Sequence, residues 1–430
     1  MISKFRKSWL VIAVSMSAIL ILNSESKSQE LIKKGRYFVA EVTKNFTVKR
    51  SGTLRIVDIR GNVNVITWAK NEVLVIEYKK IDTRSEKEAR EILEKSRSGY
   101  TQRGDIIEIG GDYYDRDWME SDYEVTVPQN FNVDIKTRGG DLSVGHLTGT
   151  VSMSTSGGEI RLNDIDGLVD AKTSGGDIEV VNSKQRTSLS TSGGDLDLKN
   201  IGGALVAKTS GGDISLRGSH ARSVIHTSGG DIIIVDAGEG VEAHTSGGDI
   251  DVSDTKGPAE VHTSGGDIQL HNIGGALEAS TSGGDIIGRT IQGGADISTS
   301  GGEIELLDVK GGVYAKTAGG DVTVEITLTD FKVDHRTSLR TAGGEITLYI
   351  PEKLPATIRA EIEITDRWED YNIYSDFPLT SASETGSGES RRFRSRKFIR
   401  SEGEINGGGD IVELYTTDGN IHIKKLLRQK

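Results

Sequence analysis

The sequence predicts an all-β fold: a single-stranded β-solenoid (β-helix) of 18-residue coils, with a short N-terminal helix insertion and irregular end coils. Three observations predict it. The hexad Thr-Ser-Gly-Gly-Asp-Ile, or a close variant, starts at Thr137, Thr155, Thr173, Thr191, Thr209, Thr227, Thr245, Thr263, Thr281, Thr299 and Thr317, each 18 residues from the last. A twelfth copy starts at Thr341, after an interval of 24. Within a unit polar and apolar residues alternate, as in Asp195-Leu196-Asp197-Leu198, the period of a half-buried strand. Finally, no Phe, Tyr or Trp occurs among the 182 residues from Asn132 to Val313. An aromatic buries roughly 150–250 Å² in an ordinary core, so this stretch has a thin, repetitive one.

The elements follow in chain order. Lys4, Arg6 and Lys7 precede a mostly apolar run of 14 residues, Trp9–Leu22. A basic start and a short apolar stretch form the secretory pattern, and a spanning helix needs about 20 apolar residues, so a signal peptide (residues 1–28) is preferred to an uncleaved anchor. Ser26 and Ser28 place cleavage before Gln29, and no Cys follows for lipid attachment. The next region, 29–136, reads as strands at Arg36–Val42, Gly52–Ile59, Asn62–Trp68, Glu72–Tyr78, Gly104–Ile109 and Tyr123–Val127. Ser85–Ser96 reads as a helix with a Ser-x-x-Glu opening, placed at the N-terminal end of the solenoid, where an open sheet edge needs cover.

Residues 137–350 form the regular repeats. In the unit Thr191–Lys208, Gly193-Gly194 and Gly202-Gly203 stand nine apart, so the 18-mer divides into two halves, each a glycine turn and a short strand. One unit cannot bury its few apolar groups, but stacking units about 4.8 Å apart aligns identical positions. Ile160, Ile178, Leu196, Ile214, Ile232, Ile250, Ile268, Ile286 and Ile304 then form one internal column. Leu162, Val180, Leu198, Leu216, Ile234, Val252 and Leu270 form a second, in which Gly288 predicts a local defect or bend. Eleven coils give a rod of roughly 50 Å.

Residues 351–430 read as irregular coils and a cap. Ala356–Thr365 is strand-like, and Trp368, Tyr371, Tyr374 and Phe377 bring aromatics back. Ser381–Ser390 reads as a mobile loop. Arg391–Arg400 carries six basic residues in ten. Its alternation with Phe393 reads as a solvated edge strand before a patch for an anionic partner. Gly408–Lys425 reads as two last coils.

Composition narrows the function. The net charge of −12 disfavours nucleic acid as a partner, since phosphate binding needs a basic surface. The chain has no cysteine, which removes disulfides, thiolate metal sites and Cys nucleophiles.

Two columns carry candidate chemistry. Carboxylates recur at Asp141, Glu159, Asp177, Asp195, Asp213, Asp231, Asp249, Asp267, Asp285, Glu303, Asp321 and Glu345. Neighbours about 5 Å apart repel by roughly 0.9 kcal/mol in a water-like dielectric, so something must offset them. Bound Ca²⁺ is one answer, but one fixed carboxylate per coil is a poor ligand set; acceptance of turn N–H bonds is the simpler one. His226, His244 and His262 form the second column, spaced for a transition metal. The same position is Lys172, Lys208 and Lys316 elsewhere, which marks it as outward and solvated. No coil stands out with the asymmetric acid and base groups that a glycoside-cleaving β-helix needs. No Ser has a His and acid to activate it, and the Gly-Gly pairs lack a phosphate loop's Lys.

The repeated Thr-Ser-Gly-Gly-Asp-Ile resembles the bacterial putative-adhesin family of Gly-Gly-Asp-Ile β-strand repeat proteins, a domain of unknown function. Ile59-Arg60-Gly61-Asn62-Val63-Asn64-Val65 is similar to its opening strand pair. Tyr123-Glu124-Val125-Thr126-Val127-Pro128 is similar to the strand before its repeats, and Gly409-Asp410-Ile411 through Thr417-Asp418-Gly419-Asn420-Ile421 to its terminal strand. The resemblance covers nearly all of 40–425 and implies a β-solenoid, an exported protein and no known catalytic residues. The expectation is a non-enzymatic solenoid, in the periplasm, on the cell surface or outside the cell. It has no cofactor, catalytic or metal residue and no membrane span after signal removal. It binds an unknown surface ligand or envelope component through repeated Thr, Ser and Asp faces. A carbohydrate-active β-helix and a cation-binding structural solenoid are the alternatives.

Overall fold

The structure is a computed structural model that describes residues 30–49, 51–96, 98–110, 119–365, 370–385 and 397–426. The signal segment, Trp368, the 386–390 part of the expected loop and residues 391–396 of the basic run lie outside the described residues.

Each 18-residue unit makes one coil with two strands. In the coil beginning at Thr191, the strand Leu196–Ile201 lies in one sheet and Leu205–Lys208 in the other. Both strands pair in parallel with those of the coils before and after, in an unbroken 18-residue register. The result is a β-solenoid of two long parallel sheets with the apolar columns between them. Both columns read from the sequence are buried throughout.

The second sheet adds a column not read from the sequence. Met153, Ala171, Leu189, Ala207, Ile225, Ala243, Val261, Ala279, Ile297 and Ala315 alternate large and small along the axis, all buried. Bulky chains on every rung would crowd at a strand spacing of about 4.8 Å, so alternation fills the layer without strain. At Gly288 the expected defect is absent, because pairing runs unbroken from Leu270 through Gly288 to Leu306. A Cβ on Gly288 would lie 2.9 Å from Leu306 Cδ2, so neighbouring side chains have filled the space. The irregularity falls one coil later, between Leu306 and Val309, where the chain enters the 24-residue repeat.

The core also holds hydroxyls. Ser183 and Thr187 satisfy each other across the coil at 2.6 Å. Two coils on, Ser219 and Ser223 occupy the equivalent positions, are buried, and have no hydrogen-bond partner among the described residues. A buried unpaired hydroxyl costs about 1 kcal/mol or more. Ser223 stacks between Leu205 and Val241, so Ser223→Val is expected to raise unfolding stability by about 1 kcal/mol. Urea denaturation followed by circular dichroism checks this.

At both ends, chain order departs from stacking order. The coil made by Thr53–Ile59 and Val63–Trp68 receives Asn132–Thr137 and Leu142–Leu147 on one side. Its other side receives Ile106–Gly110 and Met119–Pro128. Antiparallel strands extend this end, Tyr37–Thr47 on Glu72–Asp82 and Glu72–Asp82 on Met119–Pro128. The helix is Glu86–Lys95. Ser85 caps it by accepting from the Glu88 N–H at 3.4 Å, and Glu86 pairs with Arg90 one turn on. Ala89 packs with Phe38 and Ile81 on this antiparallel layer, while Leu31–Lys34 forms the outermost strand of that sheet.

The C-terminal end repeats the logic and corrects three expectations. Asp410–Thr417 and Ile421–Lys425 are two strands of one coil, stacked directly on Thr337–Arg340 and Ile346–Ile350. That coil is not last, since Ala356–Ile364 and Ile373–Ser375 pair on its far side. The described part of the basic run, in the strand Lys397–Ile405, is no edge; it is flanked by Ala356–Ile364 and Thr380–Thr385. Residues 381–385, expected in a loop, belong to that last strand.

Candidate functional site

Three rows of side chains run along the solenoid, and the sequence fixes each by its position in the repeat. At the Thr-Ser-Gly-Gly-Asp corner, Thr is structural. The hydroxyls from Thr155 to Thr317 are 2.9–3.0 Å from the glycine carbonyl of the preceding coil, to which they donate. All are buried. The expected Thr face is therefore not a face, because closing the corner turns each hydroxyl toward the neighbouring coil. The second glycine allows the approach: a Cβ on Gly230 would lie 2.0 Å from Gly212 O, whereas one on Gly229 would have 3.6 Å to its nearest neighbour. Close backbone approach, not positive φ, requires the second glycine.

The aspartates do accept backbone N–H groups, but from the next coil rather than their own turn. Asp177 Oδ1 accepts from the Asp195 N–H at 2.8 Å, and the ladder continues on Asp195, Asp213, Asp231, Asp249, Asp267 and Asp285. A hydrogen bond to a charged group contributes about 1.5–3 kcal/mol, more than the ~0.9 kcal/mol of repulsion between neighbours. The ladder thus offsets the charge column without a cation. Asp141 starts a similar rung to Glu159 at 2.9 Å, and Asp321 one to Glu345 at 2.7 Å. Glu159 instead pairs with Arg161. Glu345 accepts from Asn420 Nδ2 at 2.8 Å. What remains exposed at this corner is a row of serines, such as Ser192, Ser210, Ser228 and Ser246, beside the aspartates.

The second row was not read from the sequence. Asp164, Asn182, Asn200, Asp236, Asp254, Asn272 and Asp308 have φ of 55–59°. Asp and Asn tolerate this left-handed conformation better than other non-glycine residues. Asn182 Nδ2 donates to Asp164 Oδ1 at 2.7 Å, and Asn200 Nδ2 to Asn182 Oδ1 at 2.9 Å. The signal was present: Asp, Asn or Gly recurs at this position in most units.

The third row lies on the outer face of the second sheet. His226, His244 and His262 align in register, with ring centroids 4.7 and 4.9 Å apart. They are half-buried rather than fully solvated. Burial, then His226 and His262, hold the His244 imidazole below the usual histidine range. Two residues before each of the last two histidines stands a glutamate, and the acidic column Glu242, Glu260, Glu278, Asp296 runs beside them. Four successive coils therefore carry an acid at the same outward position. The signal was the succession Val-Glu-Ala-His, Ala-Glu-Val-His, Leu-Glu-Ala-Ser, Ala-Asp-Ile-Ser. Arg222 donates to Glu242 Oε2 at 2.7 Å and holds that carboxyl below the usual range.

The same face carries a groove of about 610 Å³. Glu260, Glu278 and Asp296 line it with Tyr314 and Arg336. Val333 and Asp334, from the segment that lengthens the 24-residue repeat, form part of its wall. Of the acids in it, Glu260, Glu278 and Asp296 are successive rungs of one column, while Glu239 and Asp334 come from turns outside that column.

No curated protein matches the chain. Among solved structures, a putative adhesin from Bacteroides fragilis NCTC 9343 is 14% identical over 72% of this chain and 97% of its own, with a TM-score of 0.23. A putative cell adhesion protein from Clostridium sporogenes ATCC 15579 is 11% identical over 90% of this chain and 99% of its own, with a TM-score of 0.16. No helix of the described residues is long and apolar enough to cross a membrane. The family model of Toastrack DUF4097 matches residues 98–252 and 167–290. These two stretches span the first part of the regular repeats, so through them this β-solenoid is similar to the Toastrack family.

Proposed function

We propose that this chain is an exported, non-enzymatic β-solenoid of the cell envelope or surface, acting as an adhesin or scaffold through many identical weak contacts. The observation that carries the reading is the exposed Ser and Asp row at the Thr-Ser-Gly-Gly-Asp corner. One rigid rung every ~4.8 Å presents the same pair of groups along the rod. Weak contacts on a rigid ruler add through effective concentration, so a repetitive partner gains avidity without any single strong site. The basic first residues and short apolar run support export.

The groove supports a second reading, a carbohydrate-active β-helix, because it brings acids together beside an exposed aromatic. Hydrolysis needs two carboxyl groups in different environments, one to give a proton and one to attack or activate water. Glu260, Glu278 and Asp296 are equivalent rungs of a single column, which suits binding better than turnover.

Protease shaving of intact source cells, with mass spectrometry of the released peptides, tests the first reading. Release of peptides from 137–350 is the expected result. Protection until the envelope is opened would remove the adhesin role and leave an internal scaffold. Polysaccharide cleavage by the purified protein, lost in Glu278→Gln, would replace both with the enzyme.

A further inference from the structure

We propose that His226, Glu242 and His244 form a binding site for a divalent transition-metal ion of the zinc class, on the outer face of the second sheet. One ligand atom from each of the three lies within 4.8 Å of the others. Two nitrogens on one tetrahedral zinc stand roughly 3.4 Å apart, given bonds of about 2.0–2.1 Å. Small side-chain rotations on a rigid parallel sheet therefore close the site, with no movement of the backbone.

The donor set selects the ion. Two imidazoles and a carboxylate suit zinc, copper or nickel, whereas calcium takes six to eight oxygens, which this cluster does not supply. The supporting contacts are those a metal site needs. Arg222 holds Glu242 through Oε2 at 2.7 Å, while Glu242 Oε1 stands 3.5 Å from His244 Nε2. The orienting hydrogen bond leaves the other oxygen turned toward the histidine. His262, stacked 4.9 Å from His244, bonds Ser280 Oγ at 2.6 Å through Nδ1 and faces Glu260 Oε1 at 3.6 Å through Nε2, so it stands beside the three-residue cluster rather than in it.

Position in the repeat argues that this arrangement is particular to these coils. The column that holds the three histidines carries Lys172, Lys208 and Lys316, and also Ser190, Ser280 and Ser298. Folding thus places no demand for histidine there. The coincidence of His226, His244 and Glu242 on successive rungs builds a ligand set that the solenoid itself does not require.

The test is calorimetric titration of the untagged, EDTA-treated mature protein with zinc chloride at neutral pH, with calcium chloride in parallel. One zinc bound per chain and no calcium heat is expected. His244→Ser, a residue the repeat already uses at 280 and 298, should weaken zinc binding by at least about tenfold, and so should Glu242→Gln. His146→Asn, which alters a histidine paired with Asp164 at 3.0 Å on another face, should leave it unchanged. Far-ultraviolet circular dichroism confirms that the variants fold. Absence of zinc binding, or binding that survives both His244→Ser and Glu242→Gln, overturns the site.

Discussion

Gly230→Ala is expected to cost about 3 kcal/mol or more, while Gly229→Ala, one residue earlier, should change stability by less than about 1 kcal/mol. The pair of glycines looks equivalent in sequence, and the difference lies wholly in what stands behind each. The added methyl of Gly230→Ala would meet Gly212 O at 2.0 Å and Asp213 Oδ1 at 2.7 Å. Neither can turn away, because Gly212 O accepts from Thr227 Oγ1 at 2.9 Å and Asp213 Oδ1 from the Asp231 N–H at 2.8 Å. The coils must part by about an ångström, and both bonds lengthen together. A methyl in Gly229→Ala would meet Ser210 O at 3.6 Å, an ordinary contact. Hydrogen exchange by mass spectrometry reads the effect locally. Because coils contact only their neighbours, protection should fall in the coils around 209–250 and persist elsewhere. Equal loss in both variants would show that stacking distance does not decide the second glycine.

Glu77→Ala is expected to cost about 3–5 kcal/mol at the N-terminal end. Glu77 is fully buried, and three hydroxyls converge on it, from Ser98 at 2.6 Å, Tyr123 at 2.9 Å, and Tyr100. Lys79, itself buried, stands 3.9 Å away and also donates to Ser96 O at 2.7 Å. Burial first, then the Glu77 charge, pushes the Tyr100 and Tyr123 hydroxyls well above the usual tyrosine range, so both remain donors. Alanine removes the acceptor for all three hydroxyls and the carboxylate from beside a buried ammonium. Glu77→Gln keeps an acceptor oxygen and should lose less. Since the cluster ties Glu72–Asp82 to Gly99–Arg103 and Met119–Pro128, hydrogen exchange should rise across those strands with the 137–350 repeats unaffected. Urea denaturation gives the magnitude, and a Glu77→Ala loss below about 1 kcal/mol would assign the cluster no more weight than a surface pair.

Much of this architecture is legible in the repeat because a solenoid converts period into distance. Every 18-residue step in sequence is one strand spacing in space, so Ile178 and Leu196 can be placed in one column before any fold is seen. The legible part also includes Asp195 as a hydrogen-bond acceptor, since its charge needs an offset at that spacing. The partner is not legible, because a turn and a neighbouring coil offer the same backbone N–H, and only the stacked geometry distinguishes them. Thr209 reads as a surface residue for a related reason: β-branched polar residues suit both an exposed strand and a corner whose hydroxyl is tied to the coil below.

The ends were the least legible. Nothing periodic marks Asn62 as the neighbour of Asp141, yet the Asp141 N–H donates to Asn62 Oδ1 at 2.7 Å. Likewise Asn372 donates its N–H to Asn420 Oδ1 at 3.0 Å, which continues the ladder across 48 residues of chain. These rungs extend the same amide chemistry after the repeat has stopped. By itself, the sequence determined the coil length, the two-strand unit, the apolar columns and the charge row, because each is a local pattern multiplied by stacking. The tertiary structure alone decided which coil is inserted where at each end, which glycine is sterically required, and that Glu242 meets the histidines. The first depends on segments far apart in the chain, whose approach no period records; the other two span at most one repeat and depend on where atoms sit along each rung.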